Sequence, residues 1–230
     1  GGARGATAVP STHPLYVLYT SGTTGKPKGI VRDNGGCATM LGFVMKNFMQ
    51  AKLGDTYFCS SDLGWVVGHQ FILYGPLLAG LTTVLYEGKP INTPDAGAFW
   101  RIIQEYRATQ MYTAPTALRA VRRADPKFEM LRKYDISSLR AIFLAGERAD
   151  PDTIKAYVDA LRVPAVDNFW MTETGSPVCG YQNPSRGVVP GSTALPCPGF
   201  DVQVLDEATN QPVKRGEQGM VCIKLPMPPG

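Results

Sequence analysis

From residue 14 onward, short apolar runs alternate with longer segments of helical period, and this alternation restricts the chain to few architectures. LYVLY reads as a buried strand, followed by a glycine-rich loop and a short strand, GIVRD. CATMLGFVMKNFM suits a buried helix over residues 37–49, DTYFCS a strand, and VVGHQFILYGPLLAG an apolar helix kinked or broken at its proline. LTTVLYE is a strand, and DAGAFWRIIQEYRA sets Phe99, Ile102, Ile103 and Tyr106 on one helical face. TQMYTA, LRAIFLAG and VPAVDNFW are further strands. The helices between them open at APTALRAVRR and at DPDTIKAYVDALR, the latter with Asp150 or Asp152 near its start. Strands joined by helical crossovers pair in parallel, so the expected fold class is α/β, with mostly parallel sheets covered by helices. From about residue 191 the pattern becomes strand, polar turn, strand, a small β extension. Residues 1–13 read as a flexible lead-in, 14–190 as the α/β core and 191–230 as a β extension of the same large domain.

Composition excludes several function classes. Of 230 residues, 44 % are hydrophobic and 18 % charged, which suits an ordinary globular domain. The net charge of +4 is spread out, apart from RAVRR at residues 119–123, which reads as a solvated helix face; nucleic-acid binding is not expected. The cysteines, Cys37, Cys59, Cys179, Cys197 and Cys222, never form a CxxC pair. They point to a reducing compartment and away from zinc or disulfides. The most apolar stretch is interrupted by His69, Gln70, Pro76 and glycines, so no membrane span is expected.

Open α/β sheets bind ligands at the carboxyl ends of their strands. Small and polar residues fall there five times: TSGTTG after LYVLY, DLGWVVGH after YFCS, TAPT after TQMY, AGER after LRAIFL and TETGS after DNFW. In the first of these, Gly22 and Gly25 precede Lys26, but Pro27 follows where a Walker loop needs Ser or Thr. Backbone amides, the hydroxyls of Thr20, Ser21, Thr23 and Thr24, and the cation of Lys28 together suit a polyphosphate. GxSxG occurs nowhere, so His69 reads as a structural helix residue and a serine hydrolase has no support.

YTSGTTGKPKG, LAGER and FWMTETGS together resemble the signature loops of the adenylate-forming superfamily. The region SSDLGWVVGHQFILYGPLLAGLTTVLYEGKP resembles short-chain acyl-CoA synthetases of the acetyl- and propionyl-CoA type, and the likeness runs over residues 14–229. The resemblance implies ATP, Mg²⁺ and coenzyme A as cofactors, with a short-chain carboxylate as substrate. It places Thr20, Ser21, Gly22, Thr23, Thr24 and Gly25, with Lys28, on the β- and γ-phosphates; Thr172 on the α-phosphate; and Glu173 on Mg²⁺. Lys28, Thr172 and Glu173 are the catalytic candidates. Gly146, Glu147, Arg148, Asp167, Asn168 and Phe169 would frame the adenine, with Trp170 and Met171 completing the nucleotide segment, and Ala114 would lie near the pantetheine route. Val66, Val67, Ala145 and Trp170 would line the acyl pocket. The indole of Trp170 would close it after two or three carbons, and Ala145, where acetate-type members carry valine, tilts preference toward propionate.

The family's mobile C-terminal domain with its catalytic lysine, its ribose-binding aspartate and its basic N-terminal contacts to CoA find no counterpart in the 230 residues. The chain is therefore expected to be the core of a longer synthetase, inactive in isolation. Two other readings stand beside this one. An amino- or aryl-acid adenylation domain would need a polar pocket residue, which Val66, Val67 and Ala145 do not supply; a nucleotide-binding scaffold fragment would not catalyse. The compartment implied is cytoplasm or mitochondrial matrix, and the sequence carries no sign of oligomeric state.

Overall fold

The computed structural model describes residues 5–21, 25–182 and 187–228. Its centre is a five-stranded parallel sheet in the order β4 (Thr82–Val84), β3 (Thr56–Cys59), β5 (Gln110–Thr113), β6 (Ala141–Leu144), β7 (Ala165–Asp167). The expected α/β class is borne out. Strand side chains alternate with period two, and both sets are apolar, as a sheet covered on both sides requires. Phe58, Met111, Ile142, Leu144 and Ala165 join one core cluster with α4 (Ala98–Tyr106), α5 (Pro115–Ala124) and α6 (Pro151–Leu161). Tyr57, Cys59, Tyr112, Phe143, Ala145 and Val166 join the other, against α1 (Asn34–Phe43) and its π-helical continuation Val44–Phe48. All five cysteines are free thiols.

Helix ends follow their local chemistry. Asp150, not Asp152, caps α6: its carboxylate accepts from the Thr153 amide at 2.8 Å, with Pro151 in the first turn. Phe99, Ile102 and Ile103 are buried in α4 as expected, but Tyr106 is 49 % exposed. Tyr106 is the last residue of that helix, where Arg107 turns the chain away through the left-handed region.

Two expectations need correction. LYVLY is not a buried strand of the parallel sheet. As β1 (Pro14–Thr20) it pairs antiparallel with β2 (Lys28–Asp33) in a separate hairpin, leaving Val17 and Tyr19 exposed while Leu15 and Leu18 pack on the core. Residues 21–27 are enough to close a hairpin but too few for a parallel crossover. Four strand ends, not five, therefore lie along one sheet. The apolar helix, in turn, does not break at proline. α2 (Val66–Gly68) widens into a π-helical stretch, His69–Tyr74, and continues as α3 (Gly75–Leu78) with Pro76 in its first turn. The wide turn lets the Gly75 amide reach back to Gln70 O, and the proline, which has no amide to donate, follows it.

Just before β1, the His13 and Ser11 carbonyls accept from the Asn34 and Gly35 amides at 3.0 and 2.7 Å, tying the lead-in to the start of α1. Beyond the sheet, β8 (Cys179–Gly180) pairs with β9 (Leu195–Pro196), and β10 (Asp201–Leu205) pairs antiparallel with β11 (Met220–Lys224), the expected C-terminal β extension. At the amino ends of the parallel strands, Arg140 makes a bidentate ion pair with Asp55.

Phe58 sits fully buried at the centre of the second cluster, with edge-on contacts to Tyr86 and Phe99 at 6.0 and 5.7 Å. Phe58→Ala is expected to lower unfolding free energy by about 3–5 kcal/mol, read by urea denaturation.

Candidate active site

The carboxyl ends of β3, β5, β6 and β7 form one rim. Ser60, after β3, donates to Thr113 Oγ1 at 2.7 Å, and exposed Ala114 follows at the start of α5. After β6 the chain passes buried Ala145 to Gly146, whose φ of +99° is a conformation that glycine holds without strain, with open space where a Cβ would stand. Glu147 and Arg148 are exposed. Glu147 is not a free carboxylate: Thr116 and Arg119 of α5 both donate to its Oε1, the arginine at 2.8 Å. Partial burial pushes this carboxyl up, but the Thr116 and Arg119 bonds outweigh it and hold the group below its ordinary value. Through Arg119, part of the RAVRR segment thus fastens α5 to the loop after β6.

β7 delivers Asp167, Asn168, Phe169 and Trp170. Asp167 is buried, accepts from the Ala149 amide at 3.4 Å through Oδ2, and has no partner on Oδ1. Burial raises its pKa to about 6, against the opposing pull of the Ala149 and Asn168 amides and Arg148. Asn168 is held by its own side chain, which donates to Leu144 O at 2.8 Å. Phe169 is half-buried on the core cluster and bridges to Cys179. Val66, Ala145 and Trp170 share one buried apolar cluster, with Val67 packed against it, and Phe71 meets the Trp170 ring edge-on at 5.5 Å.

Thr172 and Glu173 lie on a turn closed by Thr174 and Gly175, whose amides both donate to Met171 O at 3.1 Å; the Met171 amide in turn donates to Thr174 Oγ1 at 3.1 Å. Thr172 is half-buried, and Glu173 and Met171 are exposed. The turn is anchored from below by residues that the sequence reading did not single out as site residues. Arg32 of β2, buried, donates to Thr172 O at 2.7 Å, and Gln70 of the π turn donates to Gly175 O at 3.3 Å and to Tyr16 OH at 3.1 Å. Cys37 completes the set, donating to Gln70 Oε1 at 3.5 Å. The available signal is a polar residue inside an otherwise apolar segment: Gln70 interrupts an apolar helix, and Arg32 stands within a short strand.

In the hairpin, Thr20 and Lys28 are cross-strand partners that bracket the glycine loop. Thr20 Oγ1 is buried without a partner, while Ser21, Gly25 and Lys28 are exposed. Gly22, Thr23 and Thr24 lie outside the described residues. His69 sits in the π turn with Nδ1 3.1 Å from Trp65 O and its ring 5.1 Å from Tyr16, a structural setting. Among the described residues, no group of three or more His, Cys, Asp or Glu is arranged to hold a metal. The cleft of about 690 Å³ bounded by Gln110, Ala141 and Pro164 opens at the opposite, amino-end rim and is separate from these residues.

The family model for AMP-binding enzyme matches residues 3–227. The chain belongs to that family. It is 49 % identical over 227 residues to an uncharacterized protein of Pseudomonas aeruginosa, covering 96 % of this chain and 36 % of that one. It is 48 % identical over 225 residues to the mouse mitochondrial acyl-CoA synthetase short-chain family member 3 (96 % and 33 %). It is also 45 % identical over 225 residues to the propionate–CoA ligase of Salmonella typhimurium (96 % and 35 %). The resemblance expected from the motifs is thereby borne out, and the chain spans about a third of the length of these relatives.

Two tests probe the local physics of this member of the family. A Cβ on Gly175, at φ +71°, would stand 2.6 Å from Arg32 Cζ, whereas one on Gly42 within α1 meets nothing within 4 Å. Gly175→Ala should cost about 1–3 kcal/mol in urea denaturation, and Gly42→Ala should be neutral or stabilising by up to about 1 kcal/mol. Asp167 binds its proton more tightly folded than unfolded, so its contribution is most favourable at low pH. That contribution falls as pH rises from about 4 through about 6 and is level above. The stability gained by Asp167→Asn relative to the unsubstituted chain should therefore grow across that window, read by denaturation at stepped pH.

Proposed function

We propose that the chain is the acid-activating core of a short-chain acyl-CoA synthetase with preference for propionate. The observation that carries this reading is the apolar cluster of Val66, Ala145 and Trp170, one residue from a turn that presents Thr172 and Glu173 and is fixed from below by Arg32. In the first half-reaction a carboxylate oxygen attacks the α-phosphorus of ATP, the bond to the β-phosphate oxygen breaks, and pyrophosphate leaves with the acyl-adenylate retained. In the second, the thiolate of coenzyme A attacks the acyl carbon, AMP departs, and the thiol proton goes to solvent. Both reactants of the first step are anions, so hydrogen-bond donors and cations must stand where charge collects.

The residues fit these groups. Ser21, Gly25 and Lys28 are exposed at the hairpin tip and Thr20 Oγ1 is an unsatisfied hydroxyl beside them, a donor set for the leaving pyrophosphate. The Thr172 hydroxyl would donate to the α-phosphate. The unpartnered Oδ1 of Asp167 is an acceptor suited to the exocyclic amine of adenine, framed by Gly146, Asn168 and Phe169. Glu173 is a solvent-facing carboxylate on a fixed turn, which suits Mg²⁺, an ion that keeps its waters and takes one or two carboxylates plus phosphate oxygens. Mg²⁺ would supply charge neutralisation on the phosphates. Exposed Ala114 leaves a smooth path for the pantetheine arm. The relatives bearing synthetase and ligase names are a mitochondrial and a bacterial protein, which accords with a matrix or cytoplasmic setting.

ATP–pyrophosphate exchange by the enzyme carrying this chain tests the reading: propionate should support it best, acetate less and alanine not at all. Exchange driven by alanine would indicate amino-acid adenylation, and ATP binding without exchange a scaffold. Ala145→Val should shift the propionate-to-acetate ratio of kcat/KM toward acetate by about 10-fold or more, the value of one methylene in a fitted pocket.

A further inference from the structure

A directional chain of hydrogen bonds runs beneath the acyl cluster. Trp170 Nε1 donates to Tyr112 OH at 2.9 Å, Tyr112 OH donates to Asn168 Oδ1 at 2.9 Å, and Asn168 Nδ2 donates to Leu144 O at 2.8 Å. Every side chain in it is buried, and Tyr112 is fully so. Phe71 meets both rings edge-on, Tyr112 at 4.9 Å and Trp170 at 5.5 Å with planes 88° apart. The indole is thus held at its nitrogen by a phenol and along its side by a ring. An indole has one donor, and this interior offers it the Tyr112 oxygen.

We propose that Tyr112 is a positioning residue for acyl-chain length: by holding the Trp170 nitrogen it fixes the plane of the indole beside Ala145 and Val66, and so sets where the acyl pocket ends. This rests on the reading of Val66, Ala145 and Trp170 as an acyl pocket. Nothing in Tyr112 touches the reacting atoms. Its effect is transmitted through the orientation of a wall whose unsatisfied N–H would otherwise turn toward another acceptor. Burial keeps the Tyr112 phenol protonated far above neutral pH, so it remains a donor to Asn168 and an acceptor from Trp170 throughout the working range.

The test uses the enzyme carrying this chain, with alkyl esters of AMP as non-reacting probes. Binding of ethyl-, propyl- and butyl-AMP is measured by calorimetry, with AMP alone as reference. In parallel, the indole N–H signals are followed by ¹⁵N NMR, that of Trp170 being assigned by its loss in Trp170→Phe. The unsubstituted chain should prefer propyl- over butyl-AMP and show a slowly exchanging Trp170 N–H. Tyr112→Phe should move that signal and cut the propyl-over-butyl preference by about 3- to 10-fold, a ratio from which any common change in nucleotide affinity through Asn168 cancels. A purely structural role would instead weaken all probes together. An unaltered preference in a folded Tyr112→Phe overturns the proposal. So does a rapidly exchanging Trp170 N–H in the unsubstituted chain, a result that stands even where the variant does not fold. Should the unsubstituted chain bind AMP yet not discriminate among the alkyl esters, the acyl-pocket reading fails first, and the proposal with it.

Discussion

The buried guanidinium of Arg32 joins two parts of the molecule that no strand pairing connects. The hairpin carrying the glycine loop forms its own two-stranded sheet, and the turn bearing Thr172 and Glu173 follows β7 of another. A cation in an apolar interior is tolerated only where it is well bonded, so the Thr172 carbonyl and the Arg32 side chain hold each other in place. Gln70 repeats the arrangement with neutral partners, reaching Gly175 on one side and Tyr16 on the other. The glycine at 175 is part of the same constraint, because any side chain there would occupy the space of the guanidinium.

Around that junction the two rims of the sheet differ in character. At the amino ends, the charged groups pair with each other, Arg140 closing on Asp55, and Gln110 donates to Met49 O while its own Oε1 stays without a partner. At the carboxyl ends, polar groups are left over: one oxygen of Asp167, the Thr172 hydroxyl, Glu173 and the open backbone at Gly146. Unspent donors and acceptors suit a ligand, and their gathering on the loops after β6 and β7 favours the carboxyl-end rim as the candidate site.

Much of this was legible in the sequence because it is written in local patterns. Parallel strands buried on both faces read as continuous apolar runs, hence the correct placing of β3, β5, β6 and β7 and of the rim they share. The motifs at Gly146, Asp167 and Thr172 could be placed for the same reason. What escaped were features decided by contacts distant in sequence. The Arg32–Thr172 bond spans 140 residues and the Trp170–Tyr112 bond 58, and no periodicity announces either. β1 was misread because an apolar run of five does not say which pairing it makes; the shortness of residues 21–27 decided that, and it favoured a hairpin. The two-residue strands β8 and β9 are too short to leave any pattern.

The π-helical stretch between α2 and α3 carries a consequence for how this segment tolerates change. A π turn holds an additional residue, so the helix beyond it is rotated by about 100° relative to an unbroken α-helix. That rotation lets Val66, Gln70, Phe71 and Gly75 all face inward, although no single α-helical stripe would collect them. The segment is therefore sensitive to length in a way that ordinary helices are not to substitution. Removal of one residue between His69 and Tyr74 would restore regular pitch and carry either Gln70 away from the anchored turn or α3 away from the core.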